Sequence, residues 1–255
     1  PAPTDVCDPL DVATMIADSA SAWAPSDGQY AAWPHTGWRA NPVHLGADQA
    51  LQSFSIGPGA HPVTIDAGTV DRLVVNGDFS LNSSAQLHIQ NPSTVGTPQT
   101  LKIFVNGDIS AAGASQLLID PGVSVQFFTS GRVSFAGGHG QTILPTVNLN
   151  PFGAPEIAPT LAIYSSWVGN RNGQNSNSGQ PGIQLSGNSP LSASVYAPHA
   201  SIQVAGSARL YGAVRGRWVS VSGNASIHYD EALGLMSGGS GGASTAARII
   251  RWAEL

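Results

Sequence analysis

Short runs of alternating apolar and polar residues dominate the chain from Val63 onward. Separated by Gly, Asn, Asp and Ser, they include "VTI", "RLVV", "LKIFV", "VSVQFF" and "RVSF". Runs of this length and period, bounded by turn residues, are typical of β-strands. Because no long helical pattern interrupts them, the alternation predicts an all-β body.

The N-terminal part of the chain, 1–62, has a different pattern. Asp8 and Pro9 suit the N-cap and first position of a helix, and Asp11 puts a negative charge beside the exposed N–H groups of its first turn. Apolar residues then recur at helical spacing; they are Val12, Met15, Ile16, Ala20 and Trp23. The sequence therefore predicts an amphipathic helix over about 9–23, followed by packed loops as far as residue 62.

Internal repetition is the strongest signal in the chain. The stretches "VNGDFSLNSSAQLHI" (75–89) and "VNGDISAAGASQLLI" (105–119) are identical at eight positions. Three later stretches, "IQLSGNSPL" (183–191), "IQVAGSARL" (202–210) and "VSVSGNASI" (219–227), share a central glycine, found at positions 187, 206 and 223. Their final apolar residues recur after the same two steps, so the same side chain returns to the same place on each turn of a repeat.

This repetition predicts a right-handed parallel β-solenoid over 63–235, in which each coil buries its apolar residues against the next coil. A step of 30 between the first pair predicts one coil with an outward loop at "QNPSTVGTPQT" (90–100), and two shorter coils are the alternative. The helix would cap the exposed edges of the first coil. A Gly/Ser linker over 236–245 would lead to a docking strand over 246–255, "AARIIRWAEL".

Charge and cysteine content restrict the classes of partner. Only 10% of the residues are charged, against roughly a quarter in soluble domains generally. The formal charge of −5 gives no basic surface for nucleic acid or for an anionic membrane. One cysteine, Cys7, allows neither a disulfide within the chain nor a cysteine zinc cluster. We expect no nucleic-acid partner and no membrane contact by this segment.

The two Asn-Gly-Asp turns carry the strongest candidates for chemistry. Asp78 and Asp108 occupy matching positions, and stacked coils would bring their carboxylates to about 5 Å, the spacing of strands in a sheet. Such a pair suits a cation site or acid–base chemistry on a sugar. The alternative, which we favour, is a tight turn in which Asn-Gly adopts positive φ and Asp bonds the local backbone.

Other catalytic and metal-binding signatures are weak. The seven histidines do not fall at metal-ligand spacing, and the nearest motif is His228 with Asp230 in "IHYDEA". No serine elbow and no phosphate-binding loop occurs in the sequence. We therefore expect a protein that is not an enzyme and that uses no cofactor or metal.

The longest polar loop is "SSWVGNRNGQNSNSGQPG" (165–182), rich in Asn and Gly. Long loops on a rigid scaffold commonly carry recognition, although they also tolerate disorder. We take Trp167, Asn170 and Arg171, near its start, as the candidate residues for partner contact.

The stretch "SASVYAPHASIQVAGSARLYGAVRGRWVSVSGNASIHYDEAL" (192–233) resembles a family of bacterial envelope proteins. These proteins often have a type IV pilin-like (PilX-type) N-terminus and a C-terminal domain of unknown function. The matching motifs are Val-Tyr-Ala-Pro, Tyr-Gly-Ala, Ser-Gly-Asn and His-Tyr-Asp-Glu-Ala-Leu, and the early "CDPLDV" and closing "RWAEL" are similar as well. The resemblance implies a β-helical fold at the cell surface or on a pilus, and it supplies no catalytic residues.

Together these observations predict a non-enzymatic extracellular or cell-surface module with a structural or adhesive role. It would present loops from a rigid β-solenoid to a protein or a polysaccharide, and association with a pilus or filament is part of this hypothesis. One alternative is a polysaccharide-active enzyme that uses Asp78 and Asp108. A second alternative is a subunit that associates with itself to form filaments.

Overall fold

The computed structural model describes residues 43–91, 98–138, 140–141, 147–148, 158–168, 180–231 and 233. β-Strands form its body, and no α-helix occurs among these residues. The parallel sheets nearly close around one main core. The all-β class and the parallel pairing predicted from the sequence are confirmed. The predicted helix over about 9–23, the linker over 236–245 and the strand over 246–255 lie outside the described residues.

The strands are arranged in successive sets, which we call rungs. Rung 1 comprises β1 (Val43–Leu45), β2 (Gln49–Leu51) and β3 (Phe54–Ile56). Rung 2 comprises β4 (Val63–Asp66), β5 (Arg72–Val75) and β6 (Phe79–Leu81). Rung 3 comprises β7 (Gln86–Gln90), β8 (Gln99–Val105) and β9 (Ile109–Ala111). Rung 4 comprises β10 (Gln116–Ile119), β11 (Val123–Thr129) and β12 (Val133–Phe135). Rung 5 comprises β13 (Gly140–Gln141), β14 (Val147–Asn148), β15 (Ala158–Pro159), β16 (Leu161–Ser165) and β17 (Ile183–Leu185). Rungs 6 and 7 are β18 (Pro190–Val204) and β19 (Arg209–Val221), and β20 (Ser226–Tyr229) follows.

Equivalent strands of successive rungs pair in parallel and so build three faces. Face 1 has the order β1-β4-β7-β10-β13, face 2 the order β2-β5-β8-β11-β16, and face 3 the order β3-β6-β9-β12-β17. β18 pairs with both β16 and β17, so it closes faces 2 and 3 into one sheet. The short β14–β15 pair is antiparallel and stands apart from the three faces.

The first repeated pair stacks as predicted. Val75 pairs directly with Val105, and this register, a step of 30 along the sequence, excludes the alternative of two shorter coils. One rung later Val105 pairs with Thr129, a step of 24. The difference of six arises between Gln90 and Gln99, where rung 3 crosses from face 1 to face 2. An insertion within the predicted loop over 90–100 therefore accounts for the longer step.

Packed loops were predicted as far as residue 62, and for 43–56 this is wrong. β1, β2 and β3 form a complete first rung, in register with Val63, Leu73 and Phe79 of the second. Each of these strands has three residues, which is too short to display an alternating pattern between Gly46, Pro58 and their polar neighbours. These segments are strands because they pair with the second rung, and the local sequence gives no sign of that pairing.

The main core lies between the faces and contains inward side chains from every rung. In the wide rungs it holds aromatic rings: Phe54 and Phe79 stack at 4.5 Å, and the edge of Phe127 packs on Phe79 at 5.2 Å. Phe54 is fully buried although rung 1 has no described strand beneath it. The side chains of this first rung therefore belong to a closed core.

A column of positive-φ residues connects face 3 to face 1. The predicted glycine column is confirmed, because a Cβ added to Gly206 would lie 3.0 Å from the carbonyl oxygen of Gly187, and one added to Gly223 would lie 2.8 Å from that of Gly206. The column extends further back along the chain, and its members all have φ between 59° and 84°: Ser83, Gly113, Gly137, Gly187, Gly206 and Gly223. The left-handed turn thus recurs on six successive rungs.

Candidate functional site

The corner between faces 2 and 3, which we call the 2–3 corner, holds both Asn-Gly-Asp turns. Residues 76–78, 106–108 and 130–132 form this corner in rungs 2, 3 and 4. A Cβ added to Gly107 would lie 2.7 Å from the carbonyl carbon and oxygen of Gly77, and a Cβ on Gly131 would overlap the carbonyl of Gly107. Successive corners therefore stack backbone on backbone, and glycine is required because of this close approach.

The predicted positive φ of these turns is wrong. Neither Gly77 nor Gly107 is among the glycines with positive φ. The sequence pattern Asn-Gly suggested a left-handed turn because hairpin turns of that composition use one. Here the turn connects two strands of one rung, and glycine is required because the backbone of the neighbouring rung lies too close for a side chain.

The carboxylates of the 2–3 corner bond the backbone of the following rung. Asp78 Oδ1 accepts a hydrogen bond from the Asp108 N–H at 2.9 Å, and Asp108 Oδ1 accepts one from the Arg132 N–H at 2.7 Å. The aspartates bond backbone, as predicted, but the predicted local partner is wrong, because the N–H donors belong to the next rung, 30 and 24 residues further along the chain. Each aspartate therefore links two rungs along the corner.

Arg132 takes the place of the aspartate in rung 4 and extends this ladder. Its guanidinium donates to Asp108 Oδ2 at 3.2 Å and also bonds the side-chain oxygen of Gln180. Both members of the Asp108–Arg132 ion pair are about a third exposed or more, so water screens the pair and its contribution to stability is at most about 1 kcal/mol. Gln180 belongs to the long loop, so the ladder also contacts the end of that loop.

The long loop over 165–182 emerges from the same corner. Seventeen residues, 166–182, connect β16 to β17, whereas rungs 2, 3 and 4 use three residues there. Rung 6 also uses three residues, and in rung 7 Arg217 alone separates the paired segments. Among the described rungs, the fifth is therefore the one in which this corner is expanded.

Trp167, one of the three predicted contact residues, lies at the base of the loop. It packs partly buried against the main core, and a Cβ added to Gly182 would lie 2.5 Å from its Cδ1 atom. Its buried Nε1 has no hydrogen-bond partner among the described residues. The neighbouring Val168 is 71% exposed. Asn170 and Arg171 lie outside the described residues.

A second apolar cluster lies on the outer side of face 2, and the sequence reasoning missed it. We call it the outer column; its rings stack at 4.9 Å (Phe104–Phe128) and 4.8 Å (Phe128–Tyr164). Arg215 lies 5.5 Å from the centre of the Tyr196 ring. Phe128 is 1% exposed although it points away from the main core, and burial raises the pKa of the Tyr164 phenol above its usual value. The column comprises the buried residues Val74, Phe104 and Phe128 and the partly buried residues Ala50, Tyr164 and Tyr196.

Histidine–aspartate contacts link successive rungs on face 1, whereas the His228–Asp230 motif was only a weak signal in the sequence. His88 Nε2 lies 2.7 Å from Asp120 Oδ1, and His44 Nε2 lies 3.1 Å from Asp66 Oδ2. His228 instead stacks on Tyr211 at 5.0 Å. His88 and Asp120 are 32 residues apart, which is the step of 30 between their rungs plus two positions on the same side of a strand. This spacing could have been found in the sequence.

No group of three or more His, Cys, Asp or Glu side chains in the described part of the chain could hold a metal ion. Within that same part, no helix is long and apolar enough to cross a membrane.

One comparison with known proteins gives a match. Residues 169–236 match the model of a domain of unknown function, DUF7305. This segment contains β17 to β20 together with most of the long loop. It is compatible with the uncharacterised C-terminal domain in the resemblance that the sequence suggested. No curated protein and no solved structure matches the chain.

Proposed function

We propose that the chain is a non-enzymatic extracellular or cell-surface module that displays one long loop from a rigid scaffold. The scaffold in this proposal is a right-handed parallel β-solenoid whose first coil is capped by the N-terminal helix. Its partner is a protein or a polysaccharide surface. A bacterial envelope location, with a PilX-type N-terminus and an association with pili, rests on the motifs between residues 192 and 233.

The expanded 2–3 corner of rung 5 is the observation that carries this proposal. A stack whose neighbouring rungs close the same corner with one to three residues does not need seventeen residues for its own geometry. Strands on both sides of the loop are buried, and Trp167 fixes its base against the core. Recognition loops commonly project from such rigid supports.

The engagement of the corner carboxylates supports a structural role over the enzymatic alternative. Asp78 and Asp108 each accept a backbone hydrogen bond from the next rung. A general acid or nucleophile for sugar chemistry needs a carboxylate free to face the substrate. An Asp78→Asn variant screened for glycan depolymerisation beside the unchanged protein tests the alternative directly, because activity lost in the variant would establish an enzyme.

The display function is tested by shortening the loop. Residues 169–179 are replaced by three residues of Gly and Ser, which leaves Trp167, Gln180 and the strands β16 and β17 unchanged. Binding of both proteins is measured on arrays of bacterial surface polysaccharides and on intact bacterial cells. We expect the shortened variant to lose binding by tenfold or more while its unfolding midpoint stays the same.

A matched control comes from the other inserted corner. Residues 92–97, which lie within the insertion of rung 3, are shortened in the same way. This control is expected to bind like the unchanged protein. Equal binding by all three proteins would contradict the proposal, since the long loop would then contribute nothing to recognition.

A further inference from the structure

The last long strand of the stack has one incomplete edge. β19 pairs along its length with β18, but on its other side β20 pairs only with Arg209–Gly212. Among the strands of the described residues, none pairs with this side of residues 213–216 or 218–221, which flank Arg217 within the nine-residue stretch Ala213–Val221. Unpaired N–H and C=O groups on an exposed edge are a template for another strand.

The side chains at this edge occupy core positions that have lost their cover. Val219 pairs with Ile202, and Val221 pairs with Val204. Ile202 and Val204 are 2% and 1% exposed, whereas Val219 and Val221 are 39% and 48% exposed, and Trp218 beside them is 56% exposed. Ile202 and Val204 are covered by the paired strand β19. Val219 and Val221 have no such cover among the described strands, because β20 pairs only with residues 209–212 of β19.

One segment of this chain has the composition and the length to complete the edge. Residues 247–255, "ARIIRWAEL", contain nine residues with Ile249, Ile250 and Trp252 among them. β-Branched and aromatic residues of this kind favour strands. The preceding residues 234–246 are largely Gly, Ser and Ala, so they suit a flexible connection.

The connection is long enough to reach either end of the edge. β20 leaves the stack at Tyr229, which pairs with Gly212 next to the start of the free edge. Nine residues of strand extend over about 30 Å, and thirteen connecting residues can span about 43 Å at roughly 3.3 Å per residue. A parallel and an antiparallel addition are therefore both within reach.

We propose that residues 247–255 add to the free edge of β19 as a further strand and cover Trp218, Val219 and Val221. A segment tethered through a short connection rich in Gly and Ser has an effective concentration in the millimolar range, so it competes well with a second copy at micromolar concentration. The added strand closes the stack and prevents edge-to-edge association between copies. This inference concerns the end of the scaffold, so it does not depend on the proposed role of the long loop.

Photo-crosslinking of the full chain tests the contact. Benzoylphenylalanine is introduced at Trp218, and the cross-linked peptides are identified by mass spectrometry after irradiation. The expected product is a cross-link to residues 247–255 within a monomer. Cross-links between two copies, cross-links to the N-terminal residues 1–42, or the absence of a cross-link would each overturn the proposal.

Charged substitution in the segment provides a second measurement. An Ile249→Asp/Ile250→Asp double variant should release the strand, speed hydrogen exchange of the edge-facing amides within Ala213–Val221 by tenfold or more, and produce oligomers in sedimentation velocity. The control Ser240→Asp/Ser244→Asp adds the same charge to the connection and should remain monomeric and protected. Equal exchange in all three proteins would show that Ile249 and Ile250 do not protect the edge, and the proposal would be wrong.

Discussion

The wide rungs 2 to 4 and the narrow rungs 6 and 7 fill their interiors with side chains of different size. In the wide rungs the chain returns to the same position after steps of 30 and then 24, and three faces enclose a core with stacked phenylalanines. In the narrow rungs the steps fall to 19 and then 17, within one continuous strand per rung. The inner positions there include Ala193, Ala197 and Ala200, all fully buried.

The two narrow steps differ because of one corner. Three residues, 198–200, separate the paired segments of β18, whereas Arg217 alone does so in β19. Opposite faces also come close together, since a Cβ added to Gly216 would lie 2.7 Å from Ile202 Cδ1. The number of residues per rung therefore sets the cross-section, and the cross-section limits the size of the side chains inside.

Removal of a ring from the wide core should have the largest effect. Phe79→Ala deletes a buried ring between Phe54 and Phe127, and such deletions cost about 3–5 kcal/mol in unfolding free energy. Denaturant unfolding measures this loss. The control Ser80→Ala alters the adjacent, outward residue and should cost at most about 1–2 kcal/mol, because it removes two part-buried hydrogen bonds, one to Ser55 and one from Asn82. Equal losses would contradict the described inward orientation of Phe79.

Enlargement of a side chain in the narrow core tests the opposite limit. Ala197→Leu adds volume at a fully buried position, and overpacking of this kind costs about 1–3 kcal/mol. Ser194→Leu on the outer side of the same strand is the control and should change the unfolding free energy little. If Ala197→Leu stabilises the protein, the narrow rungs contain more free volume than their packing indicates.

Substitution in the positive-φ column should have a moderate effect that depends on the rung. Gly187→Ala places a Cβ 2.7 Å from the Gly137 oxygen at φ 78°, so we expect a loss of about 1–3 kcal/mol in thermal or chemical unfolding. Ser83 already carries a side chain at φ 59° in the same column. Ser83→Gly should therefore be neutral or stabilise by at most about 1 kcal/mol. A large loss from Ser83→Gly would show that its side chain, and not the turn, is important.

The smallest effect concerns Tyr164 in the outer column. Because burial raises its folded-state pKa above the usual value of 10.0, the neutral phenol is favoured in the folded protein. The resulting stability is fully present below pH 10 and is lost as the pH rises through the folded pKa. Absorbance at 295 nm during alkaline titration measures the shift. Tyr164→Phe should remove this part of the pH dependence, and an unchanged alkaline profile would contradict it.

The sequence predicted those parts of the fold in which the same turn motif recurs on successive rungs. The two Val-Asn-Gly-Asp stretches and the Gly187, Gly206 and Gly223 column revealed the register, because identical turns stack on one another. The outer column, by contrast, could not be recognised in the sequence. Insertions of different length precede its members, so the steps between them are unequal and no fixed period connects them.

The candidate site was predicted in part for a similar reason. The long loop was evident from its composition, and Trp167 stood out within it. Local sequence could not show that the loop shares a corner with Asp78 and Asp108, nor that Arg132 and Gln180 link this ladder to the loop. Those contacts join side chains far apart in the sequence, and pairing between rungs creates them.

By itself, the sequence determined that the body of the chain from Val63 is built of β-strands, that its turns repeat, and that glycine returns at fixed steps. Alternation and turn chemistry are local properties, so they can be recognised without a structure. Only the tertiary structure decided that the chain forms a first rung from Val43, that its rungs narrow toward β19, and that its aspartates bond the following rung. Each of these depends on hydrogen bonds between rungs, whose register local sequence does not specify.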